Sequence, residues 1–102
     1  MIRALFEKKN NLFVGFKVSG HAGFADSGQD VCCAAVSSAV QTIANAITDV
    51  FHFKAEVNVG ENEISLNSSE NEASKLIEAL FVQLSLIKEE FPKNIQIQIS
   101  EV

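Results

Sequence analysis

Twice along this chain a pair of strand-like segments is followed by a long helical one, and this ordered change of hydrophobic period constrains the fold more than any single motif. Ile2 to Glu7 reads as a short strand, and Lys8-Lys9-Asn10-Asn11 as a polar turn. Leu12, Val14, Phe16 and Val18 alternate with Phe13, Gly15, Lys17 and Ser19, the period of two expected of a strand with one buried face. The two segments predict an antiparallel hairpin. A helix is expected over about Val31 to Val50. A second hairpin, Ala55 to Val59 and Glu63 to Asn67, turns at Gly60-Glu61-Asn62. Ser69 and Glu72 match a capping box, in which each side chain bonds a backbone N–H at a helix start. In the helix that follows, Ala73, Leu76, Ile77, Leu80, Leu84, Ile87 and Phe91 keep the 3.6-residue spacing until Pro92 stops it. Ile95, Ile97 and Ile99 alternate with polar residues in a last strand.

The order β-β-α-β-β-α-β predicts an α+β fold in a single domain over residues 1–102: one mixed or antiparallel sheet with two helices packed on it. Strand order is not legible at this level. Hydrophobic residues make up 47% of the chain, ample for a packed core. In the first helix Ala35, Ala39, Ile43, Ala46, Ile47 and Val50 form an apolar stripe that Val36, Val40 and Ala44 widen. A membrane span needs about 20 predominantly apolar residues. Ser37, Ser38, Gln41, Thr42, Asn45, Thr48 and Asp49 interrupt this one, so a buried helix is expected and no membrane contact. In the second helix Phe81, Val82 and Leu86 fall partly off the stripe, which fits either a wide core face or contact with a second subunit.

The reactive side chains concentrate between Gly20 and Ser38, which holds one of the two histidines, both cysteines and three of the five glycines. It reads as a loop running into the first helix, with Asp30 as N-cap. Cys33 then falls in the first helical turn, where unpaired N–H groups and the helix dipole favour the nucleophilic thiolate. His21 lies twelve residues upstream and can fold back over that helix end if the loop bends at Gly23 and Gly28. The pair has a plainer reading too: a cysteine is often a small apolar filler, and His21 is then an exposed loop residue. Ser37, one turn beyond Cys33 on the same face, either bonds the thiolate or substrate or bonds back to the helix carbonyls. Cys32 sits about 100° round the helix from Cys33 and is expected to pack. His52, between two phenylalanines at the far end of the helix, is expected to be structural.

Other chemistries fit less well. The formal net charge is −5, from 8 Lys plus Arg against 13 Asp plus Glu, which disfavours direct nucleic-acid binding. There is no G-x-x-x-x-G-K or G-x-G-x-x-G, and Arg3 is the only arginine, so a phosphate clamp is lacking. A zinc site lacks an evident fourth ligand, and no cofactor or metal is expected. Adjacent cysteines are neither a redox C-x-x-C nor a disulfide framework, and the N-terminus has no basic start with an apolar run behind it. Both point to a reducing, cytoplasmic setting.

The pattern Gly20-His21-Ala22, then Gly28, Asp30, Cys33, Ala34, Ala35 and Ser37, resembles the ribosomal-processing cysteine protease family called Prp. Chain length, element order and the His-to-Cys interval agree, so the resemblance covers nearly the whole chain. It implies His21 and Cys33 as the catalytic pair, with Asp30 and Ser37 in support. Gly20, Ala22, Gly23, Phe24 and Gly28 would form a substrate-binding loop that orders over bound peptide. The one departure is Cys32, where a plain aliphatic residue is common. The implied reaction is removal of a short N-terminal extension, apolar with a phenylalanine before the cut and basic residues beyond it, from the precursor of a bacterial large-subunit ribosomal protein. A homodimer is implied as well. The alternatives from the residues alone are an acidic ribosome-associated binding module in which Cys33 is merely buried, or a thiol redox sensor.

Overall fold

The computed structural model describes residues 1–20 and 27–102, with side chains described outside 21–30. Its strands are β1 (Ile2–Lys9), β2 (Leu12–Ser19), β3 (Glu56–Val59), β4 (Glu63–Asn67) and β5 (Ile95–Glu101), and its α-helices are α1 (Ser27–Asn45) and α2 (Ala73–Glu90). A π-helical segment, Ala46–Val50, extends α1. The strands form one mixed sheet in the order β3-β4-β2-β1-β5, antiparallel except for the β1–β5 pair, as the element pattern led us to expect.

The first hairpin turns at Asn10 and Asn11, whose φ angles of 54° and 65° are those a two-residue primed turn requires and asparagine tolerates. Its strands depart from simple alternation. Glu7 pairs with Gly15 but Lys8 pairs with Phe13, so Val14 is an extra residue and β2 carries a bulge. Because side chains alternate strictly, one inserted residue reverses which face the preceding ones occupy. Phe16 and Val18 are buried as the period predicts, yet beyond the bulge Phe13 is buried while Leu12 and Val14 are half-buried. Phe13 thereby meets Phe6 edge-on at 6.0 Å, and Phe81 packs against both, at 5.3 Å from Phe6 and 5.5 Å from Phe13. Phe81 thus belongs to the core margin, whereas Val82 and Leu86 are exposed.

Both helices contribute to one core with the inward faces of the strands: Ile2, Ala4 and Phe6 of β1, Phe16 and Val18 of β2, Leu66 of β4 and Ile95 of β5. From α2 come Ile77, Leu80 and Leu84, each fully buried and worth roughly 1.5–3 kcal/mol of transfer free energy. The α1 stripe is Cys32, Val36, Val40, Ala44 and Ile47. It is therefore centred one position away from the expected Ala35–Ala39–Ile43 row, which is half-buried and faces α2 across Ala79 and Leu80, and Val50 is exposed. Val31–Val50 has the length and composition of a membrane-crossing helix. In this fold its apolar stripe is part of the core.

Two local expectations are corrected. The capping box does not form: α2 begins at Ala73 with Glu72 as N-cap and no side-chain cap bond. The carboxylate of Glu70 instead accepts the N–H of Lys54, and Ser68 Oγ donates to the Lys54 carbonyl at 2.6 Å, so this segment is tied to the chain preceding β3. At the other helix, the π-helical segment ends at Phe51 and His52 takes φ 56°, which stacks Phe51 on Phe53 at 5.4 Å. His52 is exposed there, in the structural position expected of it.

Candidate active site

Helix α1 presents three neighbouring rows of side chains. The middle row, from Cys32 to Ala44, is buried, and the row of Ala35, Ala39 and Ile43 lies toward α2. The third row is Cys33, Ser37 and Gln41, spaced i, i+4, i+8 along one flank. Cys33 and Ser37 are half-buried and Gln41 is exposed. This is the 100° step at work: Cys32 is 0% exposed, its neighbour is accessible, and no disulfide joins them. Burial, and secondarily the charge of Cys33 beside it, pushes the Cys32 thiol above its ordinary pKa of 9.0. Cys32 is thus a packed thiol, as its place in the sequence predicts.

The start of the helix differs from expectation. Asp30 does not cap it, because α1 begins at Ser27 and contains Gly28 and Asp30 within its opening turn. Cys33 consequently sits about one and a half turns inside the helix. The dipole's benefit to a thiolate falls off beyond the first turn, and the amides with no helical acceptor are those of the first four residues. The predicted support from the helix start is therefore weaker than the sequence led us to expect. His21, Ala22, Gly23 and Phe24 lie outside the described residues, as does the side chain of Asp30.

The chain enters that segment through Gly20. Gly20 has φ +81°, and a Cβ on it would lie 2.5 Å from the Met1 carbonyl oxygen, so only glycine fits. Its N–H donates to the carbonyl of Asn62, in the β3–β4 turn, at 3.0 Å. The same turn is closed by a 2.7 Å bond from the N–H of Gly60 to the carbonyl of Glu63. The residue before His21 is thus pinned to the tip of the second hairpin.

That tip is the part of the site that the sequence did not reveal. A cleft of about 210 Å³ runs between α1 and the hairpin, lined by Ser37, Val40 and Gln41 on one side and by Val59, Gly60, Glu61, Glu63 and Ile64 on the other. Ser37 therefore looks into a cleft one helical turn, about 6 Å along the axis, from Cys33. The signal for Gly60-Glu61-Asn62 was that of a turn, and only the pairing of β4 with β2 brings it to α1. A larger groove, about 620 Å³ between α2 and β5, includes no residue of α1 among the described residues.

Comparison with known proteins bears directly on this arrangement. The family described as cysteine protease Prp matches residues 1–96. The chain is 28% identical over 107 residues to the ribosomal processing cysteine protease Prp of Bacillus subtilis, covering 95% of this chain and 96% of that one. It is 27% identical over 85 residues to the Staphylococcus aureus protein of the same name, covering 78% and 80%. Its fold is similar, at a TM-score of 0.89 and 22% identity over 98% of this chain and 100% of the other, to the S. aureus ribosomal processing protease Prp solved with a substrate peptide.

Proposed function

The chain belongs to the cysteine protease Prp family, and from that premise we propose that it removes a short N-terminal extension from a bacterial large-subunit ribosomal protein, using Cys33 as nucleophile and His21 as its base. The observation that carries the assignment of the nucleophile is the contrast on α1: Cys33 is accessible and stands in one row with Ser37 beside a cleft, whereas Cys32 is sealed in the core.

In the proposed reaction His21 takes the proton from Cys33 Sγ, and the thiolate attacks the scissile carbonyl carbon. The carbonyl π electrons move to oxygen, then return as the C–N bond breaks and the imidazolium gives its proton to the leaving amine. Water, deprotonated by the same imidazole, attacks the thioester; its acyl group leaves as a carboxylic acid and Cys33 is restored. Because Cys33 lies inside α1, backbone N–H groups of the glycine-rich segment between Gly20 and the helix are the better source of oxyanion donors than the terminal amides of the helix. Gly23 and Phe24 are assigned to that segment's hold on the peptide, Ala22 to its approach to His21, and Asp30 and Ser37 to orienting the pair. Gly28 contributes from within α1.

The anchoring of Gly20 on the hairpin tip supports this reading, since it roots the His21 segment beside the cleft that Ser37 lines. The acidic net charge suits a basic ribosomal protein as partner, and a cytoplasmic site of action follows from that partner. A homodimer would cover Val82 and Leu86, which are 50% and 54% exposed. The experiment is to incubate the protein with a precursor carrying an apolar, phenylalanine-containing extension and to read the product masses. A single cut releasing the extension supports the proposal. An intact precursor after prolonged incubation, with Cys33 still open to alkylation, contradicts it.

A further inference from the structure

β3 forms one edge of the sheet, with β4 its neighbour on the inner side. Where that hairpin closes, Gly60 and Glu63 stand opposite each other and the Gly60 N–H donates to the Glu63 carbonyl. Antiparallel strands alternate between opposed residues that bond each other and opposed residues whose N–H and C=O groups point away. Asn58 faces Ser65 and Val59 faces Ile64, so Asn58 bonds to β4 as Gly60 does, while Val57 and Val59 direct their N–H and C=O groups outward from the free edge. Among the described residues no hydrogen bond takes up these four groups.

The side chains of the same two residues are uncovered as well. Val57 and Val59 stand opposite Leu66 and Ile64 and therefore share the sheet face on which the helices pack. Leu66 is fully buried, but Val57 is 38% and Val59 76% exposed, so the helical layer stops short of β3. An edge strand with unpaired main-chain groups and an uncovered apolar face is a template for an added strand. Val59 lines the cleft across from Ser37, one helical turn from Cys33, and β3 leads to the turn to which Gly20 is bonded. The other edge strand, β5, lies beyond β2 and β1 from this cleft.

We infer that an extended segment of the peptide substrate pairs with β3 as a sixth strand, held by the outward N–H and C=O groups of Val57 and Val59, with alternate side chains covering the two valines. The inference rests on the proposed peptidase reading and says how that site holds its substrate: through main chain in an extended conformation. In either strand direction the two peptide N–H groups that bond to β3 lie two residues apart. The paired segment falls within about five positions of the bond that is cut.

The test reads amide hydrogen exchange by NMR in the Cys33→Ala protein, alone and saturated with a synthetic peptide spanning an apolar, phenylalanine-containing extension. The Asn58 amide is protected in both states, whereas those of Val57 and Val59 exchange freely alone and slow at least about ten-fold with peptide bound. Peptides N-methylated at one amide at a time supply a second reading on the same protein. Methylation at two positions, two residues apart, weakens binding about three- to ten-fold, and methylation of the amide between them has less than about a two-fold effect. Val59→Pro, which removes an N–H that β4 does not use, keeps the urea midpoint near that of Val59→Ala but binds peptide more weakly than Val59→Ala does. Unchanged exchange of Val57 and Val59 at saturation overturns the inference, as does an N-methyl scan without the alternation. Protection of both amides in the peptide-free protein assigns the edge to a second copy of the chain and overturns it too. Cleavage by the unsubstituted protein is scored separately. Protection on binding without cleavage upholds the strand pairing and contradicts the protease reading, and cleavage without protection does the reverse.

Discussion

Cys32 and Cys33 are adjacent in sequence but occupy different environments on α1, the first fully buried against the sheet and the second half-exposed on the flank that leads to Ser37. A thiol reagent is therefore expected to modify Cys33 alone in the folded protein. Peptide mapping after brief alkylation checks this. Equal modification of both thiols would mean that α1 does not hold them as described.

The buried thiol also sets a pH dependence. Its pKa is raised in the folded state, so the unfolded chain releases the Cys32 proton first as pH rises. The stability associated with the protonated thiol is complete below the unfolded value, near 9, and is lost as pH climbs from there toward the folded value. Urea midpoints measured from pH 8 to 10.5 should fall more steeply for the unsubstituted protein than for Cys32→Ala, whatever the absolute stability of that variant. Parallel slopes would contradict a buried, protonated Cys32.

Gly20 should tolerate no side chain. Gly20→Ala forces a Cβ to within 2.5 Å of the Met1 carbonyl at φ +81° and is expected to cost about 1–3 kcal/mol in a denaturant titration. Peptide cleavage should fall further than that loss of folded protein explains, because the root of the His21 segment moves.

Ser74 supplies the acceptor for a backbone donor that the β2 bulge turns inward: the Phe13 N–H bonds its Oγ at 2.8 Å in a buried setting. Ser74→Ala leaves that N–H without this partner and should destabilise by about 1–3 kcal/mol. Ser74→Thr, which keeps the hydroxyl, should recover part of the loss in the same titration.

These particulars show which parts of the molecule local sequence encodes. The strands, the two helices and the Asn10-Asn11 turn were legible because period and turn chemistry are local properties. The bulge at Val14 was not, although Gly15 beside it is the kind of strand glycine that marks bulges, because the alternation of Leu12, Val14, Phe16 and Val18 runs unbroken through it and the inward turn of Phe13 is stabilised by contacts with Phe6 and Phe81. The start of α1 was misplaced because Asp26, Ser27 and Asp30 are all capping residue types, and the local rule does not choose among them. The capping box failed for a tertiary reason, the ties of Ser68 and Glu70 to Lys54. In the candidate site, the 100° step along α1 separates Cys32 from Cys33 in sequence and structure alike, but the hairpin wall of the cleft depends on strand order, which pairing between distant segments decides.

The central claim is that Cys33, activated by His21, cuts an apolar ribosomal-protein extension. The most direct test is the rate of cleavage of a synthetic peptide spanning such an extension by the unsubstituted protein and by Cys33→Ala, His21→Ala and Cys32→Ala. Cleavage should fall at least about 10³-fold for the first two variants and persist within about ten-fold for the third, whose folded fraction is measured in parallel. Retention of cleavage by Cys33→Ala, or its abolition in well-folded Cys32→Ala, would contradict the account.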